Sequence, residues 1–420
     1  MKRIAIKEVC EVYDGPHATP KKTDNGPVYL GIDAITEDGM LDSSQFAHLS
    51  EEDYVKWTKR VTPQENDIVF SYEATLGRYA VIPKDFYGCL GRRLAIVRII
   101  NDEINAKWLY YYFRSPEWTS FIKNQTVKGS TVDRVSIEEF PEYTIPVISL
   151  ENQNKIVDVL DRIDSKIVDN KKINDYLQQQ LQLLYDYWFT QFNFPANDGQ
   201  PYKASNGLMV WNKKINHLVP ADWQVKPMGT ICSFRNGINY DKNVEGNTIY
   251  KIINVRNISS STLFLDESNF DEICLPKQQG DKYCVSGESI IIARSGIPGA
   301  TRILCNPSSN IIFCGFIICC TPYDNTLQNY LTLYLRQFEG SSATQTGGSI
   351  LKNVSQETLK NLLVPIPPQS LLNQFNDSVS HIYNFINSNI KENTQLTTLR
   401  DWLLPMLMNG QATIEESYAK

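Results

Sequence analysis

From Leu150 to Phe192 the apolar positions advance in alternating steps of four and three: Ile156, Leu160, Ile163, Ile167, then Leu177, Leu181, Leu184 and Trp188, with Asn170 and Asn174 keeping the same beat. That alternation is the a/d seam of a heptad repeat. It predicts one long helix, roughly 60 Å at about 1.5 Å per residue, a spacer more than a core element. The beat returns 219 residues later at Phe375, Val379, Ile382, Ile386, Asn389, Asn393 and Leu396, with both asparagines again in place. The chain therefore carries two copies of one long helix, each preceded by its own stretch of different character.

Before the first helix the period shortens. Val28–Ile32, Asp67–Phe70 and Leu94–Ile100 are short apolar runs bounded by Gly, Asp and Pro, and they read as strands. A helix is expected from Ala106 to Phe121, and a short one from Ser136, where Ser-Ile-Glu-Glu is a capping-box pattern. Tyr143–Val147 reads as extended chain. Asn193 to Asn216 has the Pro, Gly, Asn, Ser and Lys content of a surface linker. The next stretch then replays the first: Cys10 and Gly15 return as Cys232 and Gly237, Phe70 and Gly77 as Ile292 and Gly299, and Ser136 and Pro146 as Ser355 and Pro365. An offset kept at 219 to 222 residues over most of the chain marks an internal duplication. Two helices related by an approximate two-fold axis, with globular units at opposite ends, must pair antiparallel. Asn170 should then approach Asn393, and Asn174 should approach Asn389. Polar residues at seam positions fix register at some cost in stability, so these four are the candidate register residues.

Composition adds bounds. The 420 residues suffice for two or three domains, and 42% apolar with 21% charged residues describes a globular protein. No apolar run approaches a membrane span, and Lys2, Arg3, Lys7 and Glu8 stand where a signal peptide needs an apolar core, so a cytoplasmic location is expected. The nine cysteines are unpatterned and form no C-x-x-C pair, which leaves a zinc ribbon unsupported. A net charge of −6 argues weakly against a nucleic-acid binder, because net charge hides how charges are sorted over the surface.

Several stretches resemble the specificity subunit of type I restriction-modification enzymes. Pro220, Trp223 and Gly229 look like that family's Pro-x-x-Trp opening with its following glycine. Gly348–Ser355 looks like the loop that closes a target recognition domain, Val364–Pro368 like the approach to a long helix, and Leu403–Gly410 like the tail of the distal one. The chain departs from the pattern at three points: there is no Pro-x-x-Trp before the first strand, Ile148–Leu150 replaces a double proline, and Tyr185–Phe192 replaces the Pro-Met-Leu ending. The resemblance implies an α+β fold of two similar target recognition domains, of mixed strands and short helices, separated by two long antiparallel coiled-coil helices with internal pseudo-two-fold duplication. Its expected bounds are 1–147 and 219–366 for the recognition domains, 148–192 and 367–410 for the helices, 193–218 for the linker and 411–420 for the tail. It further implies double-stranded DNA as ligand, each domain reading one half of a bipartite target in the major groove. Two modification subunits carrying S-adenosylmethionine and methylating adenine would dock on the chain, with restriction subunits as further partners. No cofactor is expected in this chain itself.

Direct readout needs Arg, Lys, Asn, Gln, Ser or Thr on groove-facing loops, where one bidentate contact contributes roughly 1–3 kcal/mol of discrimination. The first domain offers Lys21, Lys22, Tyr72, Arg78, Arg92, Arg93, Lys128, Ser130 and Arg134. The second offers Asn236, Asn239, Tyr240, Arg256, Asn257, Arg294, Ser295, Ser349 and Lys352. Arg294 with Ser295 leads, because the pair ends an apolar strand and opens a Gly-rich loop; Tyr72 and Glu73 hold the matching places in the first copy. Backbone N–H groups at Gly129 and at Gly347 and Gly348 are candidate phosphate contacts. Catalysis finds no motif: the chain has no Asn/Asp-Pro-Pro-Tyr/Phe tetrapeptide, no phosphate-binding Gly-x-x-x-x-Gly-Lys-Ser/Thr loop and no nucleophile elbow around Ser289. His17, His48, His217 and His381 are too scattered for a metal or acid–base group. The other reading left open is a non-catalytic coiled-coil scaffold with two protein- or glycan-binding domains, which the 22 tyrosines fit about as well.

Overall fold

Ile68–Ser71 is buried at every residue, the mark of a strand covered on both faces, and it runs through the middle of the first domain's main sheet. The structure is a computed structural model that describes residues 2–127, 133–240, 246–339 and 354–414. It divides into two compact units, one of residues 1–167 with 395–420 and one of 168–394, so the divisions fall inside the long helices.

In the first unit the strands are β1 (Lys2–Ala5), β2 (Cys10–Asp14), β3 (Thr23–Leu30), β4 (Ala47–His48), β5 (Ile68–Ser71), β6 (Tyr79–Val81), β7 (Gly88–Leu90), β8 (Leu94–Ile99) and β9 (Thr144–Val147). They form a four-stranded sheet in the order β2-β8-β5-β6, a three-stranded sheet β4-β3-β7 and a pair β1-β9. All the pairings are antiparallel except β3 with β7. Helix α1 (Glu51–Trp57) is capped by Ser50. The helix expected from Ala106 to Phe121 is two helices, α2 (Ala106–Phe113) and α3 (Pro116–Gln125). The break lies where Ser115 accepts the Trp118 N–H and Pro116, lacking an N–H, opens the new helix. Ser136 does accept the Glu139 N–H at 3.3 Å, yet the expected short helix is only a turn running into the 3₁₀ segment Phe140–Glu142, whose Pro141 cannot donate. An aromatic core fills this domain: Phe70 stacks on Phe140 at 4.6 Å, and Trp118 donates its indole N–H to the Tyr79 hydroxyl.

Helix α4 (Leu150–Tyr185) ends in a π turn, Asp186–Thr190, and Phe192 at φ +60° turns the chain away. The stretch with linker composition is folded. Phe194 stacks between Tyr202 and Trp223, and β10 (Met209–Asn212) pairs with β11 (His217–Pro220) as a hairpin. The second domain repeats the first strand for strand: β12 (Gln224–Pro227), β13 (Cys232–Asn236), β14 (Thr248–Ile253), β15 (Asp271–Leu275), β16 (Ile290–Ala293), β17 (Thr301–Ile303), β18 (Ile311–Phe313), β19 (Ile317–Pro322) and β20 (Leu363–Ile366). The sheets are β13-β19-β16-β17, β15-β14-β18 and β12-β20, with β14 and β18 parallel. Short helices α5 (Val255–Ser259), α6 (Lys277–Gly280), α7 (Gln328–Arg336) and α8 (Gln356–Asn361) join them, and α9 (Gln369–Met408) closes the repeat.

The seam is antiparallel within each unit. In the first, Ile156 and Leu160 pack in one core with Leu404, Leu407 and Met408. In the second, Leu181, Tyr185 and Trp188 share a core with Phe375, Val379 and Ile386. Also in the second unit, Asn170 donates to the Asn393 side-chain oxygen at 2.9 Å and to Glu392 at 2.7 Å, and Asn389 donates to Asn174 at 2.9 Å. Asn170, Asn174 and Asn389 are buried and Asn393 is half-buried, and pairing with one another offsets the cost of their desolvation.

Candidate nucleic-acid interface

Reading residues must be exposed, on rigid supports, and not already committed to the fold. The duplication supplies the supports. Gly15 donates its N–H to the Leu94 carbonyl, and Gly237 donates to Ile317; Gly91 donates to Leu30, and Cys314 to Ile253. Tyr72 donates its N–H to the Arg93 carbonyl, and Arg294 donates to Phe316. These bonds match the turn Gly91–Arg93, between β7 and β8, to the turn Cys314–Phe316, between β18 and β19. They also place Arg294 where the first domain has Tyr72.

Four sequence candidates serve the scaffold instead. Tyr72 is buried, and burial pushes its phenol above the ordinary tyrosine range, so it cannot reach a groove. Asn257 is buried too: its side chain accepts the Asn254 N–H and donates to the Asn269 carbonyl, both at 2.8 Å. Arg78 is half-buried and donates to the Ile35 carbonyl at 3.0 Å. Arg93 adopts φ +72° and pairs with Glu73 at 3.2 Å, each side chain 29% exposed.

The rest of the described candidates reach the surface. Lys21 and Lys22 are exposed between β2 and β3, Arg92 is exposed on its turn, and Arg134 is exposed where its backbone bridges Glu73 and Val127. In the second domain Asn239, Tyr240 and Arg256 line one open cleft of about 990 Å³, together with Gly315 and Phe316. Arg256 is exposed but held in an ion pair with Asp271 of β15. Asn236 is exposed at the end of β13 and Ser295 is half-buried. Exposed Arg294 reaches back to the Gly315 carbonyl at 3.3 Å, so it borders the same turn. Lys128, Ser130, Ser349 and Lys352, with Gly129, Gly347 and Gly348, lie outside the described residues.

Phe316 was not a candidate from sequence. It is 62% exposed, an aromatic ring presented at a turn rim. In the sequence it vanishes into the apolar run from Ile311 to Cys320, and only Gly315 signals a turn there. All nine cysteines are free thiols; burial pushes Cys10 and Cys89 up to about 12, while Cys274 is exposed. Among the described residues no three His, Cys, Asp or Glu side chains converge as a metal site, and no helix is long and apolar enough to cross a membrane.

Comparison with known proteins places this arrangement. The chain is 25% identical over 360 residues to the MjaIX specificity subunit of a type I restriction enzyme from Methanocaldococcus jannaschii, covering 85% of this chain and 80% of that one. It is 20% identical over 405 residues to the HindI specificity subunit of a type I restriction enzyme from Haemophilus influenzae, covering 83% and 87%. The crystal structure of a type I restriction-modification S subunit from M. genitalium shares the fold, with a TM-score of 0.50 at 15% identity over 99% of this chain and 96% of that one. The family described as Type I restriction modification DNA specificity domain matches residues 1–179 and again 220–398. With that domain present twice on one repeated scaffold, the chain belongs to the type I restriction-modification DNA specificity family.

Proposed function

We infer that this chain is the sequence-reading subunit of a type I restriction-modification complex, each repeated domain reading one half of a bipartite DNA target. The observation that carries the reading is the specificity domain matched twice on strand-for-strand equivalent scaffolds whose exposed turn residues differ. One scaffold used twice with different surface groups suits two half-sites of different sequence. The chain acts without catalysis of its own. Two modification subunits, which bind S-adenosylmethionine and methylate adenine, dock on it, and restriction subunits join where the complex also cuts. The paired helices set the gap between half-sites. One helical turn is about 5.4 Å against a base-pair step of about 3.4 Å, so a slip of one turn would displace a half-site by one or two base pairs. Asn170 with Asn393 and Asn174 with Asn389 hold the register against such a slip.

The test is to co-express the chain with its modification subunit and map methylated adenines across the host genome. A bipartite motif with a fixed gap is expected, and exchanging residues 219–366 for another such domain should change one half only. No methylation above background from a soluble complex would return a protein- or glycan-binding scaffold to first place.

A further inference from the structure

The matched turns present different groups at the same place. Gly15 and Gly237 anchor the comparison. A Cβ on Gly15 would lie 2.6 Å from the Leu94 carbonyl oxygen, and one on Gly237 would lie 2.1 Å from that of Cys314, so both backbones press against the strand that follows the turn or the turn itself. Two residues further on stand His17 in the first domain and Asn239 in the second. His17 is drawn away to Asp14 at 2.9 Å. Arg92, the middle residue of the first turn, is exposed. In the second domain the middle residue is Gly315, and the place its Cβ would take lies 1.9 Å from the Asn239 carboxamide oxygen. The Asn239 side chain thus covers the point from which a side chain like that of Arg92 would spring. Among the described residues, no hydrogen bond or ion pair engages either the Arg92 guanidinium or the Asn239 carboxamide.

Resting on the function proposed above, we propose that Arg92 and Asn239 are the equivalent purine-reading residues of the two domains, Arg92 for a guanine in one half-site and Asn239 for an adenine in the other. The chemistry follows from the two forks. A guanidinium offers paired donors that match the O6 and N7 acceptors of guanine, while a carboxamide offers one donor and one acceptor that match N7 and N6–H of adenine. Gly315 is required on this account because any side chain there would displace Asn239. Phe316, at the rim of the same turn, adds an apolar surface beside the reading group.

The experiment compares adenine-methylation maps for the full complex with the wild-type chain and with Arg92→Ala, Arg92→Lys and Asn239→Ala. Arg92→Ala should relax one guanine position of one half-site by roughly tenfold, the effect of one lost bidentate contact, and leave the other half intact. Asn239→Ala should relax one adenine position of the other half alone. Arg92→Lys keeps the charge but loses the fork, so it should resemble the alanine variant in base preference while methylating more sites. A wild-type motif left unaltered by both alanine variants overturns this assignment alone. Uniformly weaker methylation at unchanged sequence also overturns it and makes these residues phosphate contacts. A wild-type complex that yields no bipartite motif overturns the parent reading as well.

Discussion

At the seam of the first unit, Arg400 donates to Asp164 at 2.9 Å, and Asp164 also accepts the Tyr111 hydroxyl at 2.8 Å. The second unit has Tyr383 at the place of Asp164 and Leu181 at the place of Arg400, each 219 residues away. Leu181 is fully buried among aromatic rings, and burial pushes the Tyr383 phenol up. Both stretches keep the heptad beat, so duplication preserved the geometry of the seam and let its chemistry diverge. A charged pair ties a helix to one particular neighbour, here through Tyr111 of α2, whereas an apolar pair contributes burial with little orientation.

The contrast can be broken most sharply at Arg400. Arg400→Ala leaves Asp164, whose side chain is 13% exposed, without its main partner, and should cost about 3–5 kcal/mol in urea unfolding of the full chain. Replacing Asp164 and Arg400 together by Leu should recover most of that loss if the pair chiefly gives specificity. Leu181→Ala, the counterpart, should cost about 3 kcal/mol through the cavity it leaves. Converting Asn170, Asn174, Asn389 and Asn393 together to Leu should add stability, on the order of 1 kcal/mol per pair, and should blur the gap between methylated half-sites. A single unchanged gap in that variant would remove the register role. Smallest is Tyr383→Phe. Among the described residues its buried hydroxyl has no hydrogen-bond partner, so the change should stay within about 1 kcal/mol of neutral and lean towards stabilising in the same unfolding assay.

What could be read from the chain was periodic. The heptad beat, the 219-residue offset and the apolar run at Ile68–Ser71 depend on local pattern, and each corresponds to an element of the structure. The break at Ser115–Pro116 carried a local signal too, but the apolar stripe running through it suggested one helix. The candidate interface was less legible, because whether an Arg or Asn is free depends on residues far off in sequence. Arg78 spends its donors on carbonyls 43 and 46 residues away, Arg256 pairs with Asp271, and Asn257 is bound to Asn269. Exposed Phe316 was hidden for the opposite reason, since an apolar residue within an apolar run looks like core.

The discontinuity of the first unit has a consequence for synthesis. Its N-terminal domain and the start of α4 are made early, but Leu404, Leu407 and Met408, which complete its core, come last, and Arg400 meets Asp164 across 236 residues. At about 5–20 residues per second the interval is roughly 10–50 s. Throughout it Ile156 and Leu160 pack only against the N-terminal domain's part of the core and lack Leu404, Leu407 and Met408, while the second unit, contiguous in sequence, can close first. The second unit can therefore complete its core before the first, and loss of the final turns of α9 would strip Leu404, Leu407 and Met408 from the core of the first unit.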